Sequence, residues 1–187
     1  MKTEKKSFFT VREMVFTAIC AAIICVLAPI SVPIGAIPIS LGTFAIYFTA
    51  ALLGGKRGTF AVIVYILIGM VGLPVFTGMR GGAGVLFGAT GGYIIGYIPL
   101  ALLTGVFSDM KSKFHWTMPV GMVLGTVALY AFGTAWYMIM SGSTLMAALA
   151  ACVVPFLLFD SIKMVLSTIL AVPLKARLNK MINGSNN

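Results

Sequence analysis

Residues 144–174 read TLMAALAACVVPFLLFDSIKMVLSTILAVPL. The stretch is apolar enough and long enough to cross a bilayer, which takes about 17–25 residues. Two charges interrupt it, Asp160 and Lys163. Three positions apart on a helix, they lie on one side and within reach of each other. Counting about 1.5 Å per residue from either end puts both near the middle of the membrane. Lys163 is then about 15 Å from the basic tail, too far to snorkel fully to the surface. An ionised side chain at the bilayer centre costs about 2.5–3.5 kcal/mol even on lenient insertion scales, so such residues usually line a cavity or mark a solute path. A self-neutralising pair that only fixes helix packing is the competing reading. The balance favours a site for a bound polar solute.

Working outward, the rest of the 187-residue chain has the same character. It is 60% hydrophobic and 9% charged, with a mean hydropathy of +1.07. A soluble domain of this size lacks the polar groups to cover such a surface. The reading is one all-α integral membrane domain over residues 1–187, with short basic ends at 1–10 and 175–187 and no separate soluble domain. The formal charge of +9 is scattered over short loops and ends, which is a topology signal and not a nucleic-acid patch. Cys20, Cys25 and Cys152 all fall in apolar segments without CxxC spacing, so neither a disulfide framework nor a metal site follows. His115, beside Lys113 and Trp116, reads as interfacial. The first apolar segment reads as a retained helix and not a signal peptide.

Apolar runs predict six spans: Val11–Ile30, Ile39–Leu53, Gly58–Leu73, Gly84–Phe107, Thr117–Met140 and Leu145–Leu174. The second and third are short for a core about 30 Å thick, so tilting, breaks or cover by neighbouring helices is expected there. The last is expected to begin with a separate helical piece before Pro155. Six spans put both termini on one side, and that side receives Lys2, Lys5, Lys6, Arg12, Lys56, Arg57, Lys111, Lys113, Lys175, Arg177 and Lys180. These are eleven of the thirteen basic residues. Positive-inside reasoning makes that side cytoplasmic. Arg80 is then the only basic residue facing outward.

Arg80 lies in the loop Gly72-Leu-Pro-Val-Phe-Thr-Gly-Met-Arg-Gly-Gly-Ala-Gly84, whose glycines and Pro74 cannot sustain a helix. The loop is expected to fold over the outer mouth of the bundle and bring Arg80 toward Asp160 and Lys163. A mobile loop with Arg80 on lipid headgroups is the alternative. With Arg80 included, the pocket has a surplus positive charge and suits a small carboxylate that also offers a hydrogen-bond donor to Asp160. Gly84, Gly88, Gly92 and Gly96 form a ladder that predicts one smooth helix face. That face serves helix packing or forms a pocket wall, with Tyr93 adding a ring and a hydroxyl. Ala18 and Ala22 make an AxxxA patch in the first span, and the proline-rich stretch Pro29–Thr43 predicts a rigid apolar loop over the same mouth.

No Walker A sequence, nucleotide-binding glycine loop, HExxH, GxSxG or metal-ligand cluster occurs, which disfavours an enzyme. A lone channel needs a continuous polar pathway, and only Asp160 and Lys163 are visibly polar inside. A self-sufficient secondary transporter usually carries an internal repeat, and none is evident. A binding site without an engine implies partners that supply the energy.

The basic start, the AxxxA spacing, Gly72-Leu-Pro-Val-Phe76, the run Phe87-Gly-Ala-Thr-Gly-Gly-Tyr-Ile-Ile-Gly96 and Asp160-Ser-Ile-Lys163 together resemble the BioY family. These are the biotin-specific S components of energy-coupling factor (ECF) vitamin transporters, and the resemblance covers essentially the whole chain. It implies a six-helix bundle in a prokaryotic cytoplasmic membrane that captures biotin from outside, needs no cofactor and catalyses no reaction. It also implies an ECF module as partner, a transmembrane coupling protein with two ABC-type ATPases, contacted through Ala18 and Ala22. Arg80, Tyr93, Asp160, Lys163, Gly88 and Gly92 become the expected biotin-binding residues. Two poses fit the charges, with the biotin carboxylate on Arg80 or on Lys163. An S component for another small vitamin, or a stand-alone small-solute transporter, is the alternative function.

Overall fold

The computed structural model describes residues 10–33, 37–110 and 116–183, the side chains of 179–183 apart. Lys2, Lys5, Lys6, Lys111, Lys113 and His115 lie outside the described residues, as does the side chain of Lys180. Helix α1 (Val11–Leu27) starts on a capping box. The Thr10 hydroxyl accepts from the Glu13 amide at 3.4 Å, and the Thr10 amide donates back to Glu13 Oε2 at 2.9 Å. Two otherwise orphaned amides are satisfied together. Strands β1 (Ser31–Val32) and β2 (Ile39–Ser40) pair antiparallel, Ser31 with Ser40 and Val32 with Ile39. The sequence predicts only a rigid loop there, because two residues per strand are too few for an alternating pattern to show.

Helices α2 (Gly42–Leu53) and α3 (Gly55–Met70) meet at Gly54, whose φ of +84° favours glycine. A single turn, α4 (Ala83–Leu86), precedes α5 (Gly91–Asp109). Then come α6 (Thr117–Ser141), α7 (Leu145–Cys152) and α8 (Val154–Asn183). The α7–α8 break falls at Val153, just before Pro155, as expected of a residue with no amide proton to give a preceding turn. By length and composition, Gly91–Asp109, Thr117–Ser141 and the combined Leu145–Leu178 segment are each long and apolar enough to cross a membrane. Helix α2, at 12 residues, is a shorter apolar helix.

The expected span Gly84–Phe107 is not one helix. It breaks between Leu86 and Gly91, so Gly84 and Gly88 do not share a helix face with Gly92 and Gly96. Residues there turn tightly, with the Gly91 amide on the Gly88 carbonyl, and the same carbonyl accepts Trp136 Nε1 at 2.9 Å. Gly92 and Gly96 instead press α5 against α6, the most extensive helix pair. A Cβ on Gly92 would stand 2.2 Å from the Trp136 Cβ, and one on Gly96 would stand 2.9 Å from a Leu129 methyl. Gly92→Ala should therefore destabilise the bundle by about 1–3 kcal/mol, read as a lowered melting midpoint of the detergent-purified chain.

The end of the bundle away from the site is closed by polar contacts. Lys175 Nζ donates to the Ser108 carbonyl at 2.8 Å, to the Ser108 hydroxyl at 2.7 Å and to Asp109 Oδ1 at 3.0 Å. Asp109 Oδ2 accepts the Gly55 amide at 2.9 Å, and Arg57 pairs with Glu13 at 3.2 Å. Lys175 is thus part of α8, where the sequence suggests the start of a basic tail. Its charge is used structurally.

Candidate functional site

At the other end, Asp160 and Lys163 face inward from α8, with 1% and 7% of their surfaces exposed. The ion pair is direct, Lys163 Nζ to Asp160 Oδ1 at 3.0 Å. Attraction alone rarely offsets the desolvation of two buried charges, so the remaining lone pairs and protons need partners. Helix α2, the hairpin and α6 supply them. Lys163 Nζ also donates to the Ser40 carbonyl at 2.8 Å and to Thr43 Oγ1 at 2.9 Å, which engages all three ammonium donors. Thr43 passes its own proton to Asp160 Oδ1 at 3.0 Å, and the Tyr130 phenol donates to Asp160 Oδ2 at 2.8 Å.

This cluster forms one wall of a pocket. The α2 side and hairpin contribute Ile37, Pro38, Ser40 and Thr43; α5 contributes Tyr93, Ile94 and Tyr97; α6 contributes Leu129 and Tyr130. Phe156, Thr77 and Thr90 complete the lining. The pattern is aromatic and aliphatic walls with a few convergent polar groups, as in small-molecule sites.

Of the expected residues, Asp160, Lys163 and Tyr93 come together here. The Tyr93 hydroxyl donates to the Cys152 carbonyl at 3.3 Å and lies 3.4 Å from Thr134 Oγ1. Its ring packs on Gly133, where a Cβ would stand 2.3 Å away. The glycine that accommodates this ring is therefore on α6. Gly88 and Gly92 are not in the lining and serve the α5–α6 contact described above.

The loop from Gly72 folds in, as expected, but presents Thr77 to the pocket and not Arg80. Phe76 is its anchor. Fully buried, its ring meets Tyr65 edge-on at 5.7 Å, over Gly69, where any Cβ would collide with it. Phe76 and Arg80 exchange backbone hydrogen bonds at 2.9 and 3.3 Å, and the Gly78 amide donates to the Pro29 carbonyl. This tight turn leaves Arg80 exposed beside Thr77, whose carbonyl accepts its Nε at 3.2 Å. The lining therefore carries one charge of each sign, without the surplus cation expected on adding Arg80. Sequence reasoning missed Thr43, Ser40 and Tyr130, although Tyr97 was findable, four residues from Tyr93 on the same face of α5. Ala18 and Ala22 lie on the exposed face of α1, opposite the buried Thr17, Cys20, Ala21 and Ile24. Among the described residues no group of His, Cys, Asp and Glu side chains is placed to hold a metal ion.

A multi-pass helical bundle with a buried charged pair inside an aromatic, hydroxyl-lined pocket defines a membrane solute-binding protein. The comparisons name its kind. The chain belongs to the BioY family, whose model matches residues 1–180. It is 39% identical over 164 residues to the biotin transporter BioY of Thermotoga maritima, covering 88% of this chain and 96% of that protein. It is 34% identical over 165 residues to the biotin transporter BioY2 of Lactococcus lactis subsp. cremoris, covering 87% and 89%. A crystal structure of the S-component for biotin from an ECF-type ABC transporter matches with a TM-score of 0.81 and 30% identity, covering 91% of this chain and 92% of that one. The fold is thus that of an ECF S component, and the family is one of transport subunits and not of enzymes.

Proposed function

We propose that this chain is the biotin-binding subunit of an ECF-type importer, capturing biotin at the outer face of a prokaryotic cytoplasmic membrane and delivering it with an ECF module. The observation that carries the reading is the Asp160–Lys163 pair, buried yet lining a pocket, in a chain whose relatives are named biotin transporters. The whole chain acts as one domain of six membrane segments: α1, α2, α3, α5, α6 and the α7–α8 unit. Both termini are cytoplasmic, as the basic residues around Arg12, Lys56, Arg57 and Lys175 favour.

In this reading the ureido ring of biotin lies deep, giving N–H to Asp160, with its bicyclic body against Tyr93. The valerate carboxylate points to the pocket mouth. Lys163 has each of its donors engaged by Asp160, Thr43 and Ser40, whereas Arg80 beside Thr77 is exposed and offers a planar fork suited to a carboxylate. Gly88 and Gly92 contribute indirectly, by holding α5 and α6 close enough to shape the wall that carries Tyr93. The test is isothermal titration of biotin into the detergent-purified chain beside Asp160→Asn. Saturable binding, weakened at least about tenfold in the variant, is expected from loss of a hydrogen bond to a charged acceptor. A folded, monodisperse wild-type sample that gives no binding heat refutes the biotin reading.

A further inference from the structure

A carboxylate accepts about four hydrogen bonds, two at each oxygen. At Asp160 the protein has already assigned three of them. Oδ1 takes Lys163 Nζ and Thr43 Oγ1, each at 3.0 Å, and is full. Oδ2 takes the Tyr130 phenol at 2.8 Å and keeps one position. Tyr130 reaches across from α6 and itself lines the pocket. Its hydroxyl is not what joins α6 to α5. That seam is made by close approaches at Gly121, Gly125 and Gly133, where a Cβ would meet Phe107, Leu100 and Tyr93.

We infer that Tyr130 is a positioning residue for ligand recognition: its phenol occupies one of the two acceptor positions on Asp160 Oδ2, so that a single position is left for the ligand. This rests on the reading above, in which a ureido N–H meets Asp160. The chemical consequence is that Asp160 reads one N–H of the ureido ring and not both. The two ring nitrogens are then inequivalent to the protein. Without the phenol the carboxylate keeps its charge and its Lys163 and Thr43 partners, but both acceptor positions on Oδ2 stand open, and an acceptor with two open positions no longer selects one N–H.

The experiment compares the full chain and Tyr130→Phe, both purified in detergent, for affinity toward biotin and toward the two biotins singly N-methylated at either ureido nitrogen. The wild type is expected to separate the two methyl isomers by about tenfold or more, because only one nitrogen faces the acceptor. Tyr130→Phe is expected to bind biotin about tenfold more weakly and to bring the isomer ratio toward one, with a lowered melting midpoint in the absence of biotin because the buried Asp160 Oδ2 loses its partner. A packing role alone would also lower the midpoint but leave the ratio unchanged. Wild-type binding of biotin with an unchanged affinity and ratio in Tyr130→Phe overturns this inference only. No biotin binding by the wild type overturns the proposed function with it. Should Tyr130→Phe not fold, the wild type still decides: equal affinities for the two isomers refute a single directed acceptor.

Discussion

Lys163→Met should lose biotin binding altogether and lose stability as well, whereas Asp160→Leu combined with Lys163→Met should regain much of the stability and none of the binding. Removing one partner of a buried ion pair leaves the other uncompensated and costs about 3–5 kcal/mol. Here the orphan is a carboxylate with 1% exposure, held by two hydroxyls, Thr43 and Tyr130, that cannot neutralise it. Removing both charges eliminates that penalty, and an apolar pair of similar volume is often neutral or stabilising. The recovery should be partial, because Thr43 and Tyr130 then lose their acceptor. Melting midpoints and biotin titrations on the three proteins check this. A pure packing role for the pair predicts that the double variant behaves as the wild type in every respect tested, including any solute binding. Retained biotin binding in the double variant therefore sinks the assignment of Asp160 and Lys163 to the site.

The same residues show how far the sequence could be read. Two charges inside an apolar run are conspicuous because the bilayer makes them costly, so Asp160 and Lys163 announce a candidate site without any partner being known. Pro155 announces the α7–α8 break by its missing amide proton. Other features depended on contacts between distant parts of the chain. Thr43 and Tyr130 are ordinary polar residues until α8 brings Asp160 to them, from 117 and 30 positions away. The spacing Gly84-Gly88-Gly92-Gly96 mimics a helix face, yet nothing local reveals that Trp136 will take the Gly88 carbonyl at a break. The loop after Gly72 turns on Phe76, which seats against Tyr65 and Gly69. That packing decides that Thr77, and not Arg80, lines the pocket. Hydropathy reads the solvent a segment needs, while hydroxyl pairing and loop seating are tertiary choices made among many compatible partners.

Substituting Ala22→Trp, alone or with Ala18→Trp, should abolish biotin uptake by cells carrying a matching ECF module while leaving biotin binding by the isolated chain unchanged. Both alanines are exposed on α1, on the face away from the buried Thr17, Cys20, Ala21 and Ile24. Ala22 also borders a shallow apolar groove with Ile19, Ile23, Val26 and Leu27. Small residues four apart let a second helix approach closely, and in lipid such close packing, without a hydrophobic drive, is what holds helices together. An indole there keeps the face compatible with lipid but props a partner helix away. The pocket, lined by other elements, should be untouched. Two readouts separate the roles: biotin affinity of the purified variant, and its co-purification with the coupling protein. Normal affinity with lost co-purification and lost uptake is the expected pattern. Normal uptake by Ala22→Trp would show that this face of α1 meets only lipid, and the coupling surface would have to be sought on another helix.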